Sequence, residues 1–217
     1  MGQERTVIHC NRNLKHQIDI AHALQSGFRI HGKPVSISDR NDTKADLHIC
    51  LGPWFAYNQW RTHNTLYIDR AYWGDPDHIS VHWLVKGEKL FTLHNPERHH
   101  PELRPVKSGD GTIYLCDYGD KGVSGIDVRR HPAEVKPSES LEETLNRYEI
   151  AIGKRTTALV DAAILGLRVK TDDPFSPVYR LSQGDSREDW IRDLAWHNWS
   201  LKEIECGDMW NVLGRDK

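Results

Sequence analysis

The chain has 217 residues, of which 29 are Lys or Arg and 31 are Asp or Glu, so its formal net charge is −2. The sequence lacks a run of about 20 apolar residues, which a membrane-spanning helix requires. Its 9% aromatic residues and small net charge exclude a disordered chain. Domains usually have about 100–200 residues, so the length accommodates one full domain or two small lobes.

The four cysteines form no C-x-x-C pair, and the N-terminal segment lacks the basic and then apolar pattern of a secretion signal. These features predict a reducing, cytoplasmic setting. Cys10, Cys50 and Cys116 each end a short apolar run, which is typical of buried, inert thiols. A reactive thiol or a metal ligand is the alternative interpretation.

The first half of the chain alternates short β-rich runs with longer amphipathic stretches, the pattern of a parallel sheet with crossover helices. The candidate strands are Thr6–Cys10, Val35–Ser38, Leu47–Leu51 and Leu66–Asp69. Between the first two, apolar residues at helical spacing predict a helix that ends before Gly32. A second helix over Phe55–Thr62 and strands over His78–Leu84 and Lys89–Leu93 complete this half.

Residues 95–111 contain three prolines and two glycines without apolar periodicity, which predicts a linker or a long surface loop. We therefore predict an N-terminal α/β lobe over residues 1–107 and a second α/β lobe over residues 108–185. The strands predicted in the second lobe are Thr112–Cys116, Ile126–Arg129, Glu149–Ile152 and Arg168–Thr171. Ser140 and Glu143 form a capping box that begins one helix, and Thr156–Gly166 is a second helix.

A helical tail is predicted over residues 186–217, where Ser186 and Ser200 begin helices and no strand signal is present. Four of the eight tryptophans lie between Trp190 and Trp210. Because Trp buries a large apolar area, we interpret them as anchors that pack the tail on the lobes. Stacking on a base or a sugar is the alternative.

A cationic turn follows the third strand of the second lobe. Gly153 is followed by Lys154, Arg155, Thr156 and Thr157. Cations, hydroxyls and backbone N–H groups before a helix can bind a diphosphate. Asp161 lies one turn further on, where a carboxylate can accept hydrogen bonds from a ribose. An ordinary capped helix with exposed cations is the alternative.

Two further features of the second lobe follow the ends of strands. Arg130 and His131 end a strand that Pro132 stops, and both side chains can bind a phosphate oxygen. The loop over residues 117–125 contains three glycines, and Gly119 and Ser124 are candidates to approach a phosphate closely. Because the carboxyl ends of parallel strands meet at one edge of a sheet, these features together predict a nucleotide-diphosphate site.

These residues resemble a known family. The segments Val128–Pro132, Lys154–Thr157 and Asp161–Val169 look like the donor half of GT-B-type glycosyltransferases, with Asp161 in place of the usual Glu and Arg168 in place of the usual Pro. The resemblance implies two small Rossmann-like lobes in a compact GT-B arrangement, with C-terminal helices strapping back to the first lobe. It implies a metal-independent transferase that uses a nucleotide sugar, a UDP-sugar above all, and no further cofactor.

The front and the tail of the chain are similar to small glycosyltransferase-like proteins of tailed phages. Residues 22–32, 66–75 and 189–210 carry this resemblance. It implies that the acceptor is a 5-hydroxymethylpyrimidine of phage DNA, such as 5-hydroxymethylcytosine, and that the protein works in the host cytoplasm. A base within a duplex has to be extruded to reach a buried donor.

In the first lobe, an acceptor hydroxyl needs a general base. Asp69, at a strand end, is the first candidate and Asp75 the second; Asp77, His78, His16 and His22 are weaker ones. Trp54, Tyr72 and Trp73 are predicted to contact the acceptor base. We predict no metal site, because the histidines lack clustered carboxylates. The basic residues near 98–107 and 129–131 can line a DNA groove or form an ordinary charged surface.

The alternative function is a nucleotide-binding protein without turnover, such as a sensor or a counter-defence protein, on a degenerate glycosyltransferase fold. Another nucleotide-using transferase, such as a phosphotransferase, is a third possibility. The sequence predicts no oligomeric state.

Overall fold

The computed structural model describes residues 5–40, 44–52, 65–73, 78–85, 88–89 and 98–213. The chain divides into two compact units. Unit 1 comprises Met1–Thr92 and Trp196–Lys217, and unit 2 comprises Leu93–Ala195. These limits differ from the predicted boundaries, because the predicted tail divides between the units. The predicted helix over Phe55–Thr62 lies outside the described residues, as does most of the strand predicted over Lys89–Leu93.

The strands are β1 Thr6–His9, β2 Val35–Ser38, β3 Leu47–Leu51, β4 Thr65–Arg70, β5 His78–Val85, β6 Glu88–Lys89, β7 Thr112–Leu115, β8 Asp127–Arg129, β9 Ile150–Gly153, β10 Arg168–Lys170 and β11 Asn198–Ser200. The helices are α1 Lys15–Ile30, α2 Leu141–Leu145, α3 Ala158–Ile164, α4 Tyr179–Ser182, α5 Arg187–Ala195, α6 Leu201–Glu205 and α7 Asp208–Leu213. Apart from the strand at Lys89, each predicted strand agrees with an observed one to within a residue at either end.

Unit 1 is built on a sheet with the strand order β11-β5-β4-β3-β1-β2, and β6 pairs with the outer side of β5. Strands β1 to β4 run parallel, whereas β5 is antiparallel to β4. Every residue of β1 and β3 is buried. Strands covered on both faces require continuous apolar runs, as the sequence of Leu47–Leu51 shows.

Helix α1 covers this sheet, and the C-terminal helices pack on α1. Ala21, Leu24 and Phe28 form the buried stripe of α1 at helical spacing. Helix α6 approaches α1 so closely that a methyl group on Gly27 would overlap the carbonyl oxygen of Ile204. The ring of Trp210 lies 4.4 Å from that of Phe28. Helices α6 and α7 therefore close the core of unit 1.

Strand β11 corrects the prediction that residues 186–214 contain no strand. It pairs antiparallel with β5, Trp199 opposite Ile79. Three residues are too few for a period-two pattern, and the capping box at Ser200 dominates the local sequence. Trp190 and Trp199 are almost fully buried, and Trp190 Nε1 donates to the carbonyl oxygen of Pro177 at 2.8 Å. Both residues are anchors of the core, as predicted.

Unit 2 is built on a fully parallel sheet with the order β10-β9-β7-β8. The predicted capping box at the start of α2 is present: Ser140 accepts from the Glu143 backbone N–H. In unit 1, the predicted helix start at Ser200 is also a capping box, in which Ser200 accepts from the Glu203 backbone N–H at the start of α6. A mixed α/β fold with two mostly parallel sheets confirms the predicted fold class.

Candidate functional site

The candidate site lies at the carboxyl edge of the sheet of unit 2. Strands β7 and β9 are neighbours, and their connections leave in opposite directions, toward β8 and toward β10. Ligands of open α/β sheets bind at such a switch point. The predicted glycine-rich loop follows β7, the cationic turn follows β9, and Arg130 follows β8. The structure thus brings all three predicted features to one edge.

Lys154 is the most exposed cation with a defined partner at the switch point. Its Nζ lies 3.9 Å from Oδ2 of Asp120, and 58% of its side chain is exposed. Asp120 is fixed in turn, because its carboxylate accepts from the Gly122 backbone N–H at 3.0 Å and from the Tyr114 hydroxyl at 2.8 Å. These two hydrogen bonds, in that order, lower the pKa of Asp120. A carboxylate whose pKa is lowered therefore lies beside an ammonium group that remains open to solvent.

Arg155, by contrast, joins three loops of the unit. Its Nε donates to Oδ2 of Asp173 at 2.6 Å, and its guanidinium lies 5.3 Å from the ring centroid of Phe175. Its backbone N–H donates to Oδ2 of Asp117 at 2.9 Å. Burial raises the pKa of Asp117, and this hydrogen bond opposes the rise. Arg155, which was predicted to bind a phosphate, thus already connects the loops that follow β7, β9 and β10.

The hydroxyl and carboxylate candidates follow the cationic turn. Thr156 Oγ1 accepts from the Ala158 backbone N–H at 3.3 Å, and Thr157 is the N-cap residue of α3 without a side-chain cap. Burial raises the pKa of Asp161 to about 6. Within the described part of the chain, the Asp161 carboxylate has no hydrogen-bond partner. An acceptor without a partner there is chemically suited to a hydroxyl donor.

Arg130 and Gly119 share one carboxylate. Nη2 of Arg130 lies 3.2 Å from Oε2 of Glu134, whose Oε1 accepts from the Gly119 backbone N–H at 3.1 Å. His131 Nδ1 accepts from the Ala133 backbone N–H at 3.2 Å, so the ring is oriented by its own turn. Ser124 is exposed on the same loop as Gly119. Glu134 therefore ties the glycine-rich loop to the end of β8.

A polar cavity of about 290 Å³ lies beside Arg130. Its lining comes from β8, from residues 135–139 and from the α2 region that includes Thr144. Its charged lining is largely paired internally: Arg147 makes two hydrogen bonds to Glu139, of 2.6 and 2.5 Å, and Arg129 donates to Thr144. We interpret this lining as a structural network.

The candidates of unit 1 occupy less accessible positions. Asp69, at the carboxyl end of β4, accepts from the Tyr67 hydroxyl at 2.6 Å and from the Arg70 backbone N–H at 2.8 Å. Tyr72 is only 4% exposed, and its hydroxyl lies 2.6 Å from Nε2 of His82. Tyr72 is therefore a core residue and not an exposed stacking surface. Trp73 is half-buried.

Most of the remaining predicted site residues of unit 1 lie either outside the described residues or on the surface of α1. Asp75, Asp77 and Trp54 lie outside the described residues. His16 and His22 are exposed on α1. Among the residues that the structure describes, no group of three or more metal-ligating side chains is found. No helix among them is both long and apolar enough to cross a bilayer.

Several site residues were not predicted from the sequence. Asp117 and Asp120 come directly after β7, and Asp173 comes shortly after β10, so the strand-end rule that selected Arg130 could also have selected them. Asn198 gives no such signal. Its side chain accepts from the Tyr72 backbone N–H and donates to the Trp73 carbonyl oxygen, each at 3.1 Å, across 126 and 125 residues of sequence.

Comparisons with known proteins identify the fold. No family model matches the sequence, and no curated protein matches it. Among solved structures, the chain is similar to KpsC of Thermosulfurimonas dismutans, a beta Kdo 2,7 transferase. The TM-score is 0.51 at 10% sequence identity, and the likeness covers 95% of this chain and 99% of that chain. The protein thus has a glycosyltransferase-like fold, which confirms the predicted resemblance at the level of the fold.

Proposed function

We propose that the protein is a glycosyltransferase that binds a nucleotide-sugar donor at the carboxyl edge of the sheet of unit 2. The observation that carries the proposal is Lys154, a solvent-open cation beside Asp120 at the switch point of a glycosyltransferase-like fold. Fold alone does not define activity, so the side chains at this edge bear the argument.

The proposed chemistry is the departure of a nucleoside diphosphate from the sugar. Negative charge grows on the diphosphate as the glycosidic bond breaks, and a fixed cation stabilises that charge. Lys154 can supply the positive charge, because its Nζ is open to solvent beside Asp120. We therefore propose metal-independent transfer from a UDP-sugar, with Asp161 as the acceptor of hydrogen bonds from the ribose hydroxyls.

For the acceptor we retain the proposal of a hydroxyl group, with a 5-hydroxymethylpyrimidine of phage DNA as the first candidate. It rests on the sequence resemblance, and the half-buried Asp69 at the end of β4 is the proposed general base. Its carboxylate accepts one hydrogen bond on each oxygen, from the Tyr67 hydroxyl and the Arg70 N–H, and each oxygen has a further lone pair for the acceptor hydroxyl. Tyr72 is omitted from the proposed acceptor contacts because it is buried.

The test is to incubate the protein with a mixture of nucleotide sugars and DNA that contains 5-hydroxymethylcytosine, digest the DNA to nucleosides and weigh them. We expect a hexose or pentose mass on the modified base, and we expect EDTA to leave the yield unchanged. Loss of activity in EDTA that Mg²⁺ restores would overturn the metal-independent mechanism. Other hydroxyl acceptors, tested in parallel, report on transferase activity when DNA is not modified.

Variants of Lys154 and Arg155 test whether the first cation binds the ligand and the second stabilises the fold. Lys154→Gln should weaken binding of UDP about tenfold, which is the size of one lost charge-assisted hydrogen bond, and leave thermal stability nearly unchanged. Arg155→Gln should lower the melting temperature, since it removes the pair with Asp173. Lys202→Gln, exposed on α6, is the matched control. Unchanged UDP affinity in Lys154→Gln would contradict the site.

The second candidate is a nucleotide-binding protein without turnover, and the engagement of Asp69 with Tyr67 favours it. It predicts UDP binding that depends on Lys154 and no added mass on any acceptor. Calorimetry and mass spectrometry on the same protein sample distinguish the two functions.

A further inference from the structure

Tyr118 is an exposed aromatic residue in the glycine-rich loop of unit 2. Its exposed fraction is 74%, the largest among the exposed large hydrophobic residues of the described chain. The ring planes of Tyr118 and His131 are nearly perpendicular, with centroids 5.8 Å apart and an interplanar angle of 89°. A perpendicular contact orients a ring while leaving at least one of its faces to other partners. Folding gains little from an aromatic side chain in this position.

The backbone around Tyr118 is fixed by hydrogen bonds on its C-terminal side. The Gly119 N–H donates to Glu134, and the Asp120 N–H donates to the carbonyl oxygen of Asp117 at 3.1 Å. Gly119 has a φ of +83°, and a methyl group there would meet nothing within 4 Å. The loop is therefore ordered by its own contacts, and the space beside Gly119 is open.

Tyr118 lies at the same sheet edge as Lys154, and the distance between them matches the length of a nucleoside diphosphate. The ring contacts His131, just beyond the end of β8, whereas Lys154 follows β9; β7 lies between these strands. Two neighbour spacings in a sheet amount to about 10 Å. An extended nucleoside diphosphate separates its base from its terminal phosphate by a distance of this order. One ligand can therefore reach both groups.

We infer that Tyr118, braced by His131, is the stacking surface for the nucleobase of the donor, while the diphosphate reaches Lys154. The inference rests on the proposed function and names the part of the ligand that this loop binds. Stacking accepts any base because every base has a π face, so selectivity for one base requires other contacts. The ligand class is a nucleoside diphosphate and its sugar conjugates.

The test is calorimetric titration of the full chain with four nucleoside diphosphates (UDP, CDP, ADP and GDP) and with pyrophosphate. Tyr118→Ala should weaken the best nucleoside diphosphate about 5- to 150-fold, the range that corresponds to loss of one base–aromatic stack, and leave pyrophosphate within about twofold. Tyr118→Phe, which keeps the ring, should bind like wild type. Val123→Ala, an exposed apolar residue of the same loop, is the matched control.

Three outcomes overturn the inference. The first is wild-type nucleotide affinity in Tyr118→Ala, and the second is an equal loss of pyrophosphate binding in that variant. The third is a wild-type protein that binds pyrophosphate as tightly as every nucleotide. None of these affects the dependence on Lys154 that tests the proposed function, whereas a wild-type protein that binds neither kind of ligand overturns both proposals. Since Tyr118 is exposed, its variants should fold, and circular dichroism checks this.

Discussion

The two units share one arrangement of parallel strands and differ in the side chains at the strand ends. The order β2-β1-β3-β4 of unit 1 matches the order β8-β7-β9-β10 of unit 2. In unit 1 the first strand ends in His9, fully buried, whose Nε2 lies 2.9 Å from Nδ1 of His48. In unit 2 the first strand leads to Asp117 and Asp120 beside partly exposed cations. The same topology thus carries a buried histidine pair in one unit and an open charged edge in the other.

The contrast extends to how each sheet is covered. Unit 1 adds the antiparallel strands β5 and β11 and closes its core with α6 and α7. In unit 2, a polar cavity of about 290 Å³ lies beside β8. Strand order therefore selects the edge where a ligand can bind, and the side chains at that edge determine whether it does.

The strongest destabilisation should come from breaking the closure of unit 1. Gly27→Ala should destabilise it by about 3 kcal/mol, because the added methyl group overlaps the backbone of Ile204 and neither helix can yield without moving. Gly32→Ala, with a φ of +67° but open space around it, should cost about 1 kcal/mol. Urea denaturation monitored by Trp fluorescence measures both. Equal losses in the two variants would contradict the packing argument.

The next effect is acid sensitivity of unit 1. Burial, followed by the charge of His48, lowers the pKa of His9 from 6.5 to about 4. The unfolded chain then binds the proton more tightly than the folded one, so stability is complete above pH 6.5 and falls as the pH drops toward 4. The loss approaches about 3 kcal/mol.

Stability measured from pH 7.5 to pH 4 tests this, with His9→Gln as the control. Gln retains a donor for the carbonyl oxygen of Arg40, which His9 Nδ1 contacts at 3.1 Å, but does not titrate. The free energy of unfolding of the variant should fall less steeply than that of wild type as the pH decreases. A slope equal to that of wild type would show that another group is responsible.

A weaker effect of the opposite sign belongs to unit 2. Burial raises the pKa of Asp161 to about 6, so the folded chain binds this proton more tightly than the unfolded chain. Ionisation of Asp161 therefore costs stability as the pH rises from 3.8 through 6. After allowance for solvent, the cost at pH 7.5 is about 1 kcal/mol. Asp161→Asn should be more stable than wild type at pH 7.5 and equal to it at pH 4, in thermal melts; equality at both pH values contradicts this.

Local patterns predicted most of the fold. The capping boxes at Ser140 and Ser200 and the apolar runs of the strands are decided by residues close in sequence, so they can be interpreted directly. Strand β11 could not be predicted, because its three residues form a strand only against β5. Asn198 of β11 pairs with Ser80 of β5, which lies 118 residues earlier in the chain.

The sequence predicts the sheet edge where the candidate site lies, but it does not predict which side chains contact each other there. Lys154 and Arg155 are adjacent cations in the sequence, yet one is open and the other is tied to Asp173. That distinction depends on the position of the loop after β10, which no local pattern encodes. Tyr72 and Trp73 were predicted together, and only the pairing of β4 with β5 places the first in the core.

The return of the chain to unit 1 at Trp196 has a consequence for biosynthesis. The strand segment of β5 around Ile79 has its outer edge covered by β11. On the ribosome, β5 emerges more than 100 residues before β11, and the whole of unit 2 is made in the interval. While unit 2 is being made, unit 1 keeps an open strand edge that a chaperone can shield.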